Sequence, residues 1–174
     1  MPCAADIIAG LQAVILDVDG VLTDGRIGYG PHEGEIKFFD VRDGHGIVLA
    51  RRAGLKVGIL SGRASQANRQ RAAELKLDFI YEGCTRKLDG FERLLREQGL
   101  EAGRCLMIGD DLVDIPVMRR AGVAVAVADA APETRAAAHW TTRAVGGRGA
   151  VRETIEWLLK EQGTWAAATA SYFA

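Results

Sequence analysis

Short apolar runs that stop abruptly at polar clusters recur along this chain. Residues 13–16 (Ala-Val-Ile-Leu) end at Asp17, residues 57–60 (Val-Gly-Ile-Leu) at Ser61, and residues 105–108 (Cys-Leu-Met-Ile) at Gly109 and Asp110. Runs this short and this apolar read as strands buried on both faces, as in a parallel sheet. Helical spacing of apolar positions predicts helices over residues 45–53, 64–75, 87–98 and 115–121. Residues 123–128 predict another strand and residues 150–162 a closing helix. Alternation of this kind predicts an α/β fold of three layers around a parallel central sheet. Residues 26–39 break the rhythm. There Tyr29-Gly30-Pro31-His32-Glu33-Gly34 is a turn cluster between strand-like flanks, which predicts a β-hairpin. No other gap has room for a second domain, so a single domain over residues 1–174 is expected. The Ala-rich stretch 163–174 fits no element and is expected to be disordered or ordered by a neighbour.

The first run leads into Asp17-Val18-Asp19-Gly20-Val21-Leu22-Thr23-Asp24. Open α/β sheets bind ligands at the carboxyl ends of their strands. Alternation along an extended chain turns Asp17 and Asp19 to one side, and Gly20 permits a sharp turn behind them. Two carboxylates aimed at one point repel by about 4 kcal/mol at about 4 Å and an effective dielectric of about 20. A cation, a shared proton or a chemical step offsets such a cost at functional sites, although Asp and Gly are also ordinary turn formers. The later strand ends supply Ser61-Gly62-Arg63 and Gly109-Asp110-Asp111 with Asp114 three residues on, and Lys87 opens a helical pattern. Singly, Ser61 reads equally well as a helix cap, Asp110 and Asp111 as complements to a helix dipole, and Lys87 as a solvated charge. Their succession at strand ends favours one shared site.

Composition narrows the class. A chain of 174 residues, 48% apolar and 26% charged with formal net charge −1, can bury a sizeable core and has no basic excess to attract nucleic acid. No apolar run approaches the length of a membrane span. Residues 1–10 lack the basic start and apolar core of a secretory signal, and Cys3, Cys84 and Cys105 are scattered as reduced thiols would be. A cytoplasmic protein is expected.

The four strand-end features, in this order over residues 11–161, resemble the haloacid dehalogenase superfamily of phosphohydrolases. Asp17 and Asp19 match its first motif, Ser61 the second, Lys87 the third, and Gly109-Asp110-Asp111 with Asp114 the fourth. The resemblance implies a Rossmann-like fold in which Asp17 is the nucleophile, passing through an aspartyl-phosphate. It implies that Asp19 protonates the leaving oxygen and then accepts a proton from water. Asp17, Asp110 and the Asp19 backbone carbonyl are implied ligands of Mg²⁺. Ser61 and Lys87 would hold the phosphoryl oxygens. Asp111 and Asp114 would bind a metal water or orient Lys87, with a plain capping role open for Asp114. Signalling receiver domains use a similar residue set, but their acidic pair comes first and their phospho-accepting Asp later, the reverse of the order here. A non-catalytic subunit that kept the fold is the other alternative; the presence of every catalytic position argues against it.

A closer resemblance, to the 3-deoxy-D-manno-octulosonate 8-phosphate phosphatases, rests on longer strings. These are Val41-Arg42-Asp43-Gly44-His45-Gly46, Ser61-Gly62-Arg63, residues 109–118, residues 124–130 and Gly146-Gly147-Arg148-Gly149-Ala150-Val151-Arg152-Glu153. This branch lacks a cap domain, which implies a homotetramer whose hairpins pack together while a neighbour helps close each site. It also implies a phosphorylated sugar acid as substrate, the eight-carbon acid ahead of a nine-carbon one. Arg42, Asp43, Gly44, His45, Gly46, Arg63, Arg71, Lys87 and a neighbour's Arg148 would contact that substrate, with Arg side chains suited to its carboxylate. Asp40 departs from the Asn common in the family and adds an acid near a site for an anion. His32 and His139 read as surface residues, and Trp140, Trp157 and Trp165 as packing.

Overall fold

The computed structural model describes residues 5–30 and 34–174. In chain order α1 (Ala5–Ala9) precedes β1 (Ala13–Leu16), the hairpin strands β2 (Gly28–Tyr29) and β3 (Glu35–Ile36), and α2 (Val41–Arg52). Next come β4 (Lys56–Leu60), α3 (Gln66–Glu74), β5 (Phe79–Tyr81), α4 (Lys87–Gln98), β6 (Cys105–Gly109) and α5 (Ile115–Met118). The chain closes with β7 (Val123–Ala126), α6 (Pro132–Ala137), β8 (Trp140–Thr141), α7 (Ala150–Glu161) and α8 (Trp165–Thr169). Six strands make a parallel sheet in the order β5-β4-β1-β6-β7-β8. All four side chains of β1 are inaccessible to solvent, as a strand covered on both faces requires. Helix α2 packs on α7, while α4 packs on α5 and α5 on α6.

Chain order runs outward from β1 in both directions, so its carboxyl end is the switch point where such sheets bind ligands. Leu16 pairs with Ile59 of β4 and with Ile108 of β6, which brings Asp17 level with the ends of both neighbours. The hairpin is present: Gly28 pairs with Ile36 and Tyr29 with Glu35, antiparallel. The expected turn residues Pro31, His32 and Glu33 lie outside the described residues. Among the described residues no helix is long and apolar enough to cross a membrane.

Three departures from the sequence expectations have physical causes. First, α2 starts at Val41, not His45, because the Asp40 carboxylate caps it by accepting the Arg42 N–H at 2.7 Å. Asn and Asp cap helices about equally well, which accounts for the acid at this position. Gly44 and Gly46 therefore lie within a helix and serve close packing. A Cβ at Gly44 would stand 2.4 Å from Arg71 Nη2, and one at Gly46 3.1 Å from Arg152 Cα. Second, β5, α6 and β8 run only three, six and two residues, too short for periodicity to reveal. Third, the patternless stretch 163–174 carries a helix, Trp165–Thr169, and a 3₁₀ turn, Ala170–Tyr172. Alanine favours helix, Ala168 and Thr169 are buried, and Tyr172 accepts a 2.6 Å hydrogen bond from Arg52 with its ring edge-on to His45. The tryptophans pack as expected, Trp140 stacking on Trp157 at 5.1 Å.

Asp43 links α2 to the start of α7. Its buried carboxylate accepts the N–H groups of Gly149 at 3.1 Å and Arg152 at 2.8 Å, satisfying the first turn of α7 from a neighbouring helix. Asp43→Ala is expected to lower the unfolding free energy by about 1–3 kcal/mol for each donor left unpaired. Urea unfolding measures this; a change within about 0.5 kcal/mol, ordinary for a surface position, would contradict the capping role.

Candidate active site

At the end of β1 a cavity of about 180 Å³ is lined by Asp17, Asp19, Ser61, Arg63, Lys87, Asp110 and Asp111. Three strand ends and the first turn of α4 supply these side chains. Lys87 Nζ sits 2.8 Å from Asp17 Oδ1 and 2.6 Å from Asp114 Oδ1, with all three side chains almost inaccessible. Asp114 Oδ2 accepts the N–H groups of Asp110 at 3.0 Å and Asp111 at 3.2 Å. Both Asp114 oxygens are therefore engaged, one holding Lys87 and the other fixing the loop after β6. Asp111 caps the short 3₁₀ turn Leu112–Asp114 reciprocally with Asp114. Of the alternatives open in the sequence, Asp114 both orients Lys87 and caps.

Burial and crowding set the charges. Asp17 is pushed up to about 6, first by burial and then by Asp114, against the pull of Lys87. Asp110 is pushed up to about 8 by burial and by the charges of Asp17 and Asp114. Burial works against the Lys87 ammonium, but Asp17 and Asp114 outweigh it and hold its pKa above the ordinary value. Oxygens of Asp17, Asp110 and Asp114 lie within 4.8 Å of one another. Asp110 Oδ1 is buried without a hydrogen-bond partner. With Asp114 fully engaged, Asp17 and Asp110 remain as hard, crowded oxygen donors, a set that fits a divalent cation such as Mg²⁺.

The turn that carries the acids is braced from the far end of the chain. Gly20 has φ +93°, and a Cβ there would stand 2.0 Å from Asp110 Oδ2. A Cβ on Gly146 would fall 1.7 Å from the Gly20 carbonyl oxygen, and Gly147 donates its N–H to the Val21 carbonyl at 2.8 Å. Thr23, buried within the turn, accepts the N–H groups of Gly20 and Gly25. On the opposite wall Ser61 is 1% exposed and accepts the Arg63 N–H at 3.3 Å, while buried Asn68 holds the Arg63 carbonyl.

Of the residues expected to contact substrate, Arg63 and Lys87 line this cavity and the others do not. Arg42 lies on the surface, paired with Asp40 at 2.8 Å and donating to the Arg148 carbonyl. Arg71 bonds Glu74 at 2.9 Å and the Asp40 carbonyl at 3.3 Å beside a separate cavity. Asp43 caps α7, Gly44 and Gly46 are packing positions, and His45 meets Tyr172. Arg148 lies 3.9 Å from Asp24 and is largely exposed. The placements of residues 42–46 follow from α2 beginning at Val41, which withdraws them from the cavity wall of their own chain.

Two residues of the site escaped the sequence reading. Lys37 Nζ lies 2.7 Å from Asp19 Oδ1, and Glu35 pairs with Arg63. The signal was the alternation Glu35-Ile36-Lys37-Phe38 on a hairpin strand, charged on one side and apolar on the other.

Comparison with known proteins agrees with this geometry. The family model of haloacid dehalogenase-like hydrolases matches residues 45–122. The 3-deoxy-D-manno-octulosonate 8-phosphate phosphatase of Escherichia coli K12 is 44% identical over 165 residues, 93% of this chain and 88% of the relative. The Moraxella catarrhalis phosphatase of the same name, solved with a magnesium ion, a phosphate ion and a KDO molecule, superposes with a TM-score of 0.92 at 36% identity, covering 97% of each chain. The cobalt-bound deoxy-D-mannose-octulosonate 8-phosphate phosphatase of Haemophilus influenzae gives 0.89 at 38% identity, covering 96% of this chain and 98% of the other. At this identity and coverage the chain belongs to the haloacid dehalogenase-like hydrolases, as a phosphoric monoester hydrolase of the branch formed by the 3-deoxy-D-manno-octulosonate 8-phosphate phosphatases.

Proposed function

We propose that this enzyme hydrolyses 3-deoxy-D-manno-octulosonate 8-phosphate in a Mg²⁺-dependent reaction, through an aspartyl-phosphate on Asp17. The observation that carries the reading is the buried Asp17–Lys87–Asp114 chain beside the unpartnered Asp110 oxygen. Asp17 attacks phosphorus while the bond to the sugar oxygen breaks, and Asp19 gives that oxygen a proton. A water then attacks the aspartyl-phosphate, returning a proton to Asp19 and releasing phosphate. Ser61 and Lys87 hold the phosphoryl oxygens as charge spreads over them. Asp17, Asp110 and the Asp19 backbone carbonyl would hold Mg²⁺, whose charge when bound lets a phosphate dianion approach two carboxylates.

Arg63 stands at the cavity mouth, about half exposed, and is the chain's own candidate for the sugar-acid carboxylate. Further contacts fall to a neighbouring copy, whose Arg148 would reach the open mouth of a cleft with no cap. Large apolar side chains on and beside the hairpin support that assembly: Tyr29, Phe38 and Val41 are each 79% exposed. A homotetramer working in the cytoplasm fits this surface and the free thiols of Cys84 and Cys105.

Asp17→Asn should fold normally and lose turnover by on the order of a thousandfold or more. The assay is phosphate release from a panel of phosphorylated sugars, in which the wild-type enzyme should favour 3-deoxy-D-manno-octulosonate 8-phosphate over hexose phosphates. Substantial turnover by the Asn variant would end the aspartyl-phosphate reading.

Metal and pH should be linked with a definite sign. Asp17 and Asp110 have folded pKa values of about 6 and about 8 against 3.8 for an ordinary Asp. Between 3.8 and about 8 the folded state thus binds more protons than the unfolded chain, so metal-free stability is full below that window and falls as pH rises through it. Mg²⁺ competes with those protons, so the rise in Tm on adding it should grow across the same window. Calorimetry at several pH values checks this; a metal-induced shift largest at the acid end would contradict the ligand assignment.

Light scattering should give four copies per particle. A fully active monomer would remove the assembly argument.

A further inference from the structure

We propose that Lys37 positions the Asp19 carboxyl group for proton transfer to the leaving sugar oxygen, an inference that rests on the reading of Asp19 as proton donor. Lys37 follows β3, where alternation sends Glu35 and Lys37 toward the site and leaves Ile36 and Phe38 47% and 79% exposed. The Lys37 side chain is wholly inaccessible. Its Nζ lies 2.7 Å from Asp19 Oδ1 and 3.7 Å from Glu35 Oε2. The angles miss those of a hydrogen bond, so charge holds this contact. Arg63 completes a ring of alternating sign, with Nε 3.9 Å from Asp19 Oδ2 and Nη2 paired with Glu35.

An apolar side chain would fill this slot without the desolvation penalty of an ammonium. What the ammonium adds is a fixed place for Asp19. The oxygens that crowd together at the site belong to Asp17, Asp110 and Asp114, and Asp19 stands apart from them on Lys37. Proton transfer needs its donor within hydrogen-bond reach of the departing oxygen at the moment the P–O bond breaks. Enclosed as it is, Lys37 does not touch substrate. It acts through Asp19, and it pairs with the carboxylate that remains once the proton has moved to the sugar oxygen. The later step, in which water gives a proton back to Asp19, restores the starting state.

The test compares two esters by kcat/KM, which reports the steps through departure of the first product. A sugar-acid phosphate leaves as an alkoxide and needs the proton. A nitrophenyl phosphate leaves as a stabilised phenolate and does not. Lys37→Met should cut kcat/KM by on the order of tenfold or more for the sugar phosphate but by less than about twofold for the aryl ester. Lys37→Arg, which keeps the charge, should recover part of the loss. In an Asp19→Asn background, Lys37→Met should cost the sugar phosphate little more. Equal losses on both esters, or full additivity with Asp19→Asn, would overturn the proposal, and circular dichroism with thermal melting shows whether each variant is folded. A wild-type enzyme inactive on both esters would instead overturn the phosphatase reading itself.

Discussion

One buried ammonium among three carboxylates governs this molecule. Lys87 opens α4, where the helix dipole disfavours a cation, and its side chain is nearly sealed from water. Asp17 and Asp114 keep it charged there. The acids depend on the lysine in return, since burial raises Asp17 and Asp110 and each charge raises the next. Fully ionised, three carboxylates against one ammonium would leave negative charge in excess at the switch point of the sheet, and that excess is what holds protons on Asp17 and Asp110. A divalent ion would offset that excess, and its charge would then admit a phosphate dianion. The proposed chemistry thus rests on a charge imbalance that the fold itself maintains.

Maintaining it requires backbone where side chains would otherwise be. Gly20 lets the Asp110 carboxylate lie against the turn, and Gly109 makes room for Asp114, whose Cβ would stand 2.6 Å from a Cβ there. The loop at Gly146 and Gly147 then presses on the Gly20 carbonyl from outside, tied down by Asp129 accepting the Gly146 N–H at 2.9 Å. Segments more than a hundred residues apart in the chain meet at one turn. Rigidity of this kind keeps carboxylates that repel one another from relaxing apart.

The sheet, its principal helices, and the strand ends bearing Asp17, Ser61 and Asp110 were legible because buried parallel strands are short continuous apolar runs. The acids of the site stood out because they end those runs. Other features were hidden by competing signals. Gly44 lay outside the expected helix and Gly46 inside it, both as substrate contacts, yet Arg71 and Arg152 need the space beside them, so tertiary packing overrode propensity. Asp43 carried a functional string but spends its carboxylate on α7. The stretch 163–174 looked featureless because alanines carry little pattern, although Trp165 and Tyr172 anchor it to Arg152 and Arg52. Lys37 showed only as one charge in a four-residue alternation, since its importance lies in being enclosed.

The hairpin shows how a phosphatase without a cap domain arranges its remaining tasks. One face of β3 sends Glu35 and Lys37 inward to the charges around Asp19, while the other presents Ile36 and Phe38 outward. Both faces are fixed by a single register, Gly28 against Ile36 and Tyr29 against Glu35. A slip of one residue exchanges every side chain between faces. Here it would place Ile36 beside Asp19 and expel Lys37 into solvent, freeing the Asp19 carboxyl group and charging an apolar surface at once. Selection on either face therefore constrains the other. A pairing of four residues, too short to be stable alone, is held in register by the ion pairs it delivers.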